Sequence, residues 1–157
     1  MPFSQELKDK INQAVKSSET KQSAVIPVLR LVQDELGNIS NESMKEVAEI
    51  LEIAPSCIQN VVTFYTMFFR EQKGKHVIWL CRTLSCALKG AELAEHYISE
   101  KLSVKTGETT SDGKITFMEA ECLASCGTAP VMLVDDELHE NLTKSKVDKI
   151  IDSLKQD

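Results

Sequence analysis

His76-Val-Ile-Trp-Leu-Cys-Arg-Thr-Leu-Ser-Cys86 and Glu121-Cys-Leu-Ala-Ser-Cys-Gly-Thr-Ala-Pro130 are the two stretches on which the fold turns. In the first, the apolar run His76 to Leu80 reads as a strand, and Cys81 follows at its C-terminal end. The second follows Lys114 to Ala120, another strand, introduced by the Asp112-Gly113 turn signal. Each cysteine pair therefore falls in a loop just after a strand, which places both loops at one end of a small sheet. Around them the pattern is βα followed by ββα. A helix is expected from about Ala87 to Lys101, with Cys86 at its start and its N–H groups turned toward an anionic group held there. Gly127 is expected to allow a tight backbone beside a sulfur, and Pro130 to stiffen the exit into a strand over Val131 to Val134. Asp135-Asp136 turns the chain into a short strand near Leu138 to Glu140, and Thr143 caps a last helix reaching about Leu154.

Cys81-x4-Cys86 and Cys122-x3-Cys126 hold four of the five cysteines, and Cys57 stands apart. Four thiolates from two loops suit a 2Fe-2S cluster, because each iron takes two protein sulfurs beside two bridging sulfides. A structural zinc site also uses four thiolates, most often from pairs two residues apart, and stays open as the alternative of a zinc-stapled adaptor protein. The Cys-x-x-Cys of a dithiol oxidoreductase is absent. An odd cysteine count in a chain long enough to form a core speaks against a disulfide scaffold. His76, His96 and His139 are not paired closely with the four cysteines, as a Rieske centre would require, and read as surface or strand-edge residues.

Composition bounds the rest. The chain has 157 residues, 42% of them hydrophobic, and 18 basic against 24 acidic residues give a net charge of -6. That balance argues against nucleic-acid binding through a basic patch, and no apolar run approaches the roughly 20 residues needed to cross a bilayer. Met1 to Lys10 mixes acids and bases, unlike a transit peptide, so a cytoplasmic protein is expected.

Upstream of residue 75 the pattern is helical, and Gly37 is the one glycine between Gln5 and Arg70. Ser23 is expected to cap a helix running to Leu36, with Pro27 in its first turn and Gly37 as its stop. Ser40 begins the next helix, with Ile39 and Met44 as a hydrophobic staple. Pro55 opens another, whose Ile58, Val61, Val62, Tyr65, Phe68 and Phe69 fall at helical spacing on one apolar face widened by Phe64. Half of the aromatic residues lie there, as a core stripe or a face for another subunit. A helix-turn-helix around Ala54-Pro55 is disfavoured, since the second helix carries no Arg or Lys before Arg70. The organisation expected is α+β: a helical segment over 1–74 and a cluster-bearing domain over 75–157.

These features together, Val61-Val-Thr-Phe-Tyr-Thr-Met-Phe-Phe69, Gly74 to Cys81, the two cysteine spacings and Cys126-Gly-Thr-Ala-Pro130, resemble the small 2Fe-2S subunit of NADH:quinone oxidoreductase, respiratory complex I. The resemblance runs from about Glu19 to Leu154. It implies a thioredoxin-like ferredoxin domain behind N-terminal helices, with Cys81, Cys86, Cys122 and Cys126 as the cluster ligands. Cys57 matches no ligand position and is expected to be a small buried or half-buried residue. Ala124 departs from the glycine often found between the last two cysteines. The resemblance also implies a flavoprotein partner holding FMN and oxidising NADH, within a larger respiratory complex peripheral on the inner face of the membrane. A flavin is needed between hydride and cluster, because NADH delivers two electrons at once and a cluster accepts one. No Gly-x-Gly-x-x-Gly is present for a dinucleotide, so this chain is expected to be inactive alone. The same subunit type serves NAD(P)-linked hydrogenases and formate dehydrogenases. Arg82 and Lys89 are expected to favour the reduced cluster, and Glu119 and Glu121 to oppose it.

Overall fold

The computed structural model describes residues 3–157 and divides into two compact units, Met1–Gln72 and Lys73–Asp157. The first unit is helical: α1 (Gln5–Ser17), α2 (Val25–Leu36), α3 (Asn41–Leu51) and α4 (Pro55–Phe64). Ser4 and Ser40 cap α1 and α3, accepting from Leu7 N–H and Ser43 N–H, and Gly37 closes α2 in the left-handed conformation. Leu7, Ile11, Leu29, Val32, Ile39, Leu51 and Ile58 meet in its core.

Two local readings change here. Ser23 does not cap α2. It exchanges hydrogen bonds with Thr20, each side chain accepting from the other's backbone N–H at 3.0 Å. This reciprocal pair has the pattern of a capping box, and it secures a turn ahead of Val25. The fourth helix stops at Phe64 rather than running on to Phe69. The buried Gln33 of α2 explains why: its amide donates to Met67 O at 2.9 Å and accepts from Phe69 N–H at 2.7 Å. Ile39 N–H donates to Phe69 O at 2.7 Å as well. These bonds consume backbone groups that a longer helix would use internally, and they let Phe68 plug the core while Phe64 stays exposed.

The second unit orders β1 (His76–Cys81), α5 (Leu84–Leu88), α6 (Ala91–Leu102), β2 (Ile115–Ala120), β3 (Met132–Val134), β4 (Glu137–His139) and α7 (Lys144–Gln156). The sheet order is β2-β1-β3-β4, with β1 and β2 parallel and the other pairs antiparallel. A parallel pair needs a crossover, which α5 and α6 provide. Ile78, Leu80, Ile115, Phe117 and Met132 from the strands pack with Ile98 of α6 and Val147 and Ile151 of α7. Gly74 leads into β1 so close to the Lys114–Ile115 backbone that a Cβ would meet it at 2.9 Å, and its N–H donates to the buried Thr116 hydroxyl at 2.7 Å. Thr143 caps α7, accepting from Lys146 N–H. The long helix expected after Cys86 is broken in two at Gly90, whose φ of 94° no right-handed helix accommodates. Among the described residues, no helix is long and apolar enough to cross a membrane.

Candidate cluster site

In the parallel register Cys81 lies opposite Ala120, so β1 and β2 release their chains at the same end of the sheet. The antiparallel β3 begins there too, and Cys81 N–H donates to Val131 O at 3.2 Å. Cys81 and Cys86 are buried in a small apolar nest with Ala91 and Val131, against which Leu123 and Ala129 pack. Cys122 and Cys126 are exposed. Cys86 sits inside the short helix α5, not at the start of a long one. The dipole of a long helix, expected from the sequence, is therefore replaced by individual N–H and O–H donors.

Those donors are specific. Thr83 leaves its position at the head of α5 uncapped and turns its hydroxyl to Cys81 Sγ, 3.4 Å away. Burial opposes ionisation of the Cys81 thiol, but the Thr83 hydroxyl, the N–H groups of Thr83 and Leu123, and the Cys86 thiol outweigh it and lower the pKa. Burial raises the pKa of Cys86, and so does the hydrogen bond it donates to Cys81, against the N–H of Val131. Cys122 Sγ accepts from Ala124 N–H at 3.4 Å. A hydroxyl beside the Cys81 sulfur and an N–H on that of Cys122 make an arrangement suited to thiolates.

Ala124 has a φ of 57°, the left-handed region where a side chain is strained and glycine is at ease. The departure at this position is therefore a conformational matter. Gly127 behaves contrary to expectation: its φ is not left-handed, and an added Cβ would meet nothing within 4 Å. It lies in the single 3-10 turn Cys126–Thr128.

Arg82, next to Cys81, bridges Glu121 at 2.6 Å and Glu119 at 3.7 Å. Arg82, expected to favour the reduced cluster, is thus paired with both glutamates expected to oppose it, which leaves one net negative charge among the three. Cys57 is exposed rather than buried, because α4 turns Ile58 and Val62 inward. His76 lies at the opposite end of β1 from Cys81, where Nδ1 is 2.8 Å from Asp135 Oδ2. Its Nε2 lies 3.3 Å from Asp157 Oδ2 but is buried and misaligned for a hydrogen bond.

The sequence reading overlooked Thr83 and the Ser125–Thr128–Glu140 group. Ser125 Oγ and Thr128 Oγ1 each donate to Glu140 Oε1 at 2.6 Å. The available signal was a hydroxyl one or two residues from a cysteine. Glu140 had none, since it lies outside both loops.

No three described His, Cys, Asp or Glu side chains gather about a single ion. A two-iron cluster asks for something else, two thiolates on each of two irons. The donor set fits that demand: two pairs of thiols on loops that leave the same end of the sheet, with the Thr83 hydroxyl beside Cys81 and Ala124 N–H on Cys122.

The chain is 34% identical over 149 residues to an NADH-quinone oxidoreductase subunit of Rhizobium meliloti (strain 1021), covering 95% of this chain and 89% of that protein. It is 40% identical over 138 residues to an NADH-quinone oxidoreductase subunit of Rickettsia conorii (strain ATCC VR-613 / Malish 7), covering 87% and 83%. A chain of an NAD+-reducing [NiFe]-hydrogenase in the air-oxidised state shares the fold with a TM-score of 0.74 at 15% identity. That match covers 89% of this chain and 24% of the hydrogenase chain. Residues 11–155 match the model of one family. The meeting of two cysteine loops at one end of a mixed sheet is thus the work of a chain that belongs to the thioredoxin-like [2Fe-2S] ferredoxin family.

Proposed function

We propose that Cys81, Cys86, Cys122 and Cys126 hold one 2Fe-2S cluster, and that the chain serves NADH:quinone oxidoreductase by taking single electrons from the FMN of an NADH-oxidising flavoprotein subunit. The observation that carries this reading is the convergence of both cysteine loops at the ends of parallel strands in register, with the Thr83 hydroxyl beside the Cys81 sulfur and Ala124 N–H on that of Cys122. Names of relatives support the parent complex, since two of them, at 34% and 40% identity, are subunits of NADH-quinone oxidoreductases.

When bound, a 2Fe-2S cluster supplies one-electron acceptance and release. The chain's own residues do the remainder. Val131, Ala91 and Leu123 shield the Cys81 and Cys86 sulfurs from water. The Thr83 hydroxyl beside Cys81 and Ala124 N–H on Cys122 offer hydrogen bonds to sulfur, which stabilises added negative charge and raises the potential. Arg82 offsets part of the charge of the Glu119 and Glu121 carboxylates, which act to lower it.

Residues 75–157 form the cluster domain in this reading, and residues 1–74 a helical domain that contributes to assembly. Leu84, Leu88 and Leu93 are 74–78% exposed on the two helices that follow Cys81. Apolar area beside an electron-transfer centre suits a partner that must come close, so the flavoprotein docks there. The whole would sit peripherally on the inner face of the membrane through its complex.

Iron and acid-labile sulfide analysis of anaerobically prepared protein tests the cofactor. Two of each per chain are expected from the cluster formula, with a rhombic EPR signal appearing on reduction. Zinc without sulfide would replace this reading by the stapled adaptor. Co-purification then tests the partner: an FMN-containing, NADH-oxidising subunit is expected, and recovery with a hydrogenase or formate dehydrogenase would reassign the parent complex.

A further inference from the structure

Glu140 lies in neither cysteine loop, yet one of its oxygens accepts from both Ser125 Oγ and Thr128 Oγ1 at 2.6 Å, and these two residues flank Cys126. The two hydroxyls also lie 2.7 Å from each other, and Thr128 Oγ1 is 3.2 Å from Ser125 O. Three residues on, Thr143 caps α7, so the carboxylate projects from the fixed junction between β4 and that helix. The junction is held on both sides. Lys146 Nζ donates to Glu140 O at 2.9 Å, Asn141 N–H to Thr128 O at 2.7 Å, and Leu142 N–H to Pro130 O at 3.0 Å.

Cys126 needs such an anchor. Its side chain is exposed, outside the apolar nest that fixes Cys81 and Cys86, and its backbone belongs to a three-residue 3-10 turn with no hydrophobic face of its own. We infer that Glu140 is a positioning residue for Cys126, holding the Ser125–Thr128 turn so that the sulfur meets its iron without loop rearrangement. The inference rests on the reading of Cys126 as a cluster ligand. An outer-shell hydrogen bond to a ligating segment typically governs affinity by 10- to 100-fold. Both hydroxyls need an acceptor, which a glutamine oxygen supplies and an alanine does not.

The test compares full-length wild type, Glu140→Ala and Glu140→Gln. Iron and sulfide content of the wild type is measured first, so that failure of the cluster assignment is seen separately. Loss of the bound cluster to a strong iron chelator is then timed, and the midpoint potential is measured by EPR-monitored titration. Glu140→Ala should lose its cluster about tenfold faster than wild type and show altered g-values. Glu140→Gln should keep the wild-type lifetime within about twofold, because the acceptor remains, and shift the potential upward, because a negative charge is gone. A cluster lifetime and EPR spectrum in Glu140→Ala equal to wild type would overturn the inference. Should Glu140→Ala not fold, the double variant Ser125→Ala with Thr128→Val, which removes both bonds to Glu140, decides instead: cluster loss about tenfold faster than wild type supports the role, and a wild-type lifetime and EPR spectrum refute it.

Discussion

Cys81 and Cys86 stand with their sulfurs buried among Ala91, Val131 and Leu123, whereas Cys122 and Cys126 stand exposed on a loop fixed by hydrogen bonds. The first loop is short and passes directly from a central strand into a helix, so its geometry comes from the core. The second follows an edge strand and crosses to β3 through a left-handed Ala124 and a 3-10 turn, and its geometry comes from polar side chains. Apolar burial is non-directional and tolerant of small shifts, while a hydrogen-bonded turn has one good arrangement. Two pairs of the same residue are thus positioned by different physics, and the two should fail in different ways.

The largest effect comes from the sulfurs themselves. Replacing Cys81, Cys86, Cys122 or Cys126 by alanine leaves an iron short of a ligand, so each variant should lose the cluster or hold it only transiently, as read by visible absorbance and iron content. Cys57→Ala should retain it, since Cys57 lies exposed in the first turn of α4. Loss of the cluster in Cys57→Ala with the fold intact by circular dichroism would redraw the ligand set, and would remove the contrast between the two loops along with it.

An intermediate effect separates the loops by packing. Val131 is 1% exposed and touches the first loop's nest. Val131→Ala should cost about 2 kcal/mol of stability through lost burial and a small cavity. It should also speed alkylation of Cys81 and Cys86 in the cluster-free protein, measured by mass spectrometry, while Cys122 and Cys126 react as before. Equal acceleration at all four cysteines would mean that the loops share one support.

What the sequence made legible follows the same division. The strand read from the apolar run His76 to Leu80 and the Thr143 cap of α7 are local signals written in consecutive residues, and both stand in the structure. The convergence of the loops was legible as well, because two strands each ending at a cysteine pair leave little choice once they lie parallel. The end of α4 was not. It depends on Gln33, more than thirty positions away, taking hydrogen bonds that the helical pattern of Tyr65, Phe68 and Phe69 had suggested for a continuing helix. Gly90 was visible but was read through, since a single glycine inside a periodic stretch is often tolerated. Glu140 was silent for a different reason: a lone glutamate near a strand end carries no local pattern, and only the tertiary fold brings it to Ser125 and Thr128.

The smallest effect concerns backbone conformation in the exposed loop, where two nearby small residues carry opposite demands. Ala124 holds a φ of 57°, which costs a non-glycine residue roughly 1–2 kcal/mol. Glycine there would remove that cost but give the unfolded chain more freedom, worth about 0.4–1 kcal/mol in the other direction. Ala124→Gly should therefore stabilise the cluster-free protein by up to about 1.6 kcal/mol, the largest difference between those terms. Gly127 has a φ outside the left-handed region and open space where a Cβ would go, so Gly127→Ala should also stabilise, through the unfolded state alone, by about 0.4–1 kcal/mol. Urea denaturation at constant m-value measures both. A destabilised Ala124→Gly would mean that another contact of the alanine methyl outweighs its strain, and a destabilised Gly127→Ala would show that the turn beside Cys126 needs glycine when the chain moves. Either result would make the second loop less dependent on Glu140 and its hydroxyl partners, and narrow the difference between the two loops.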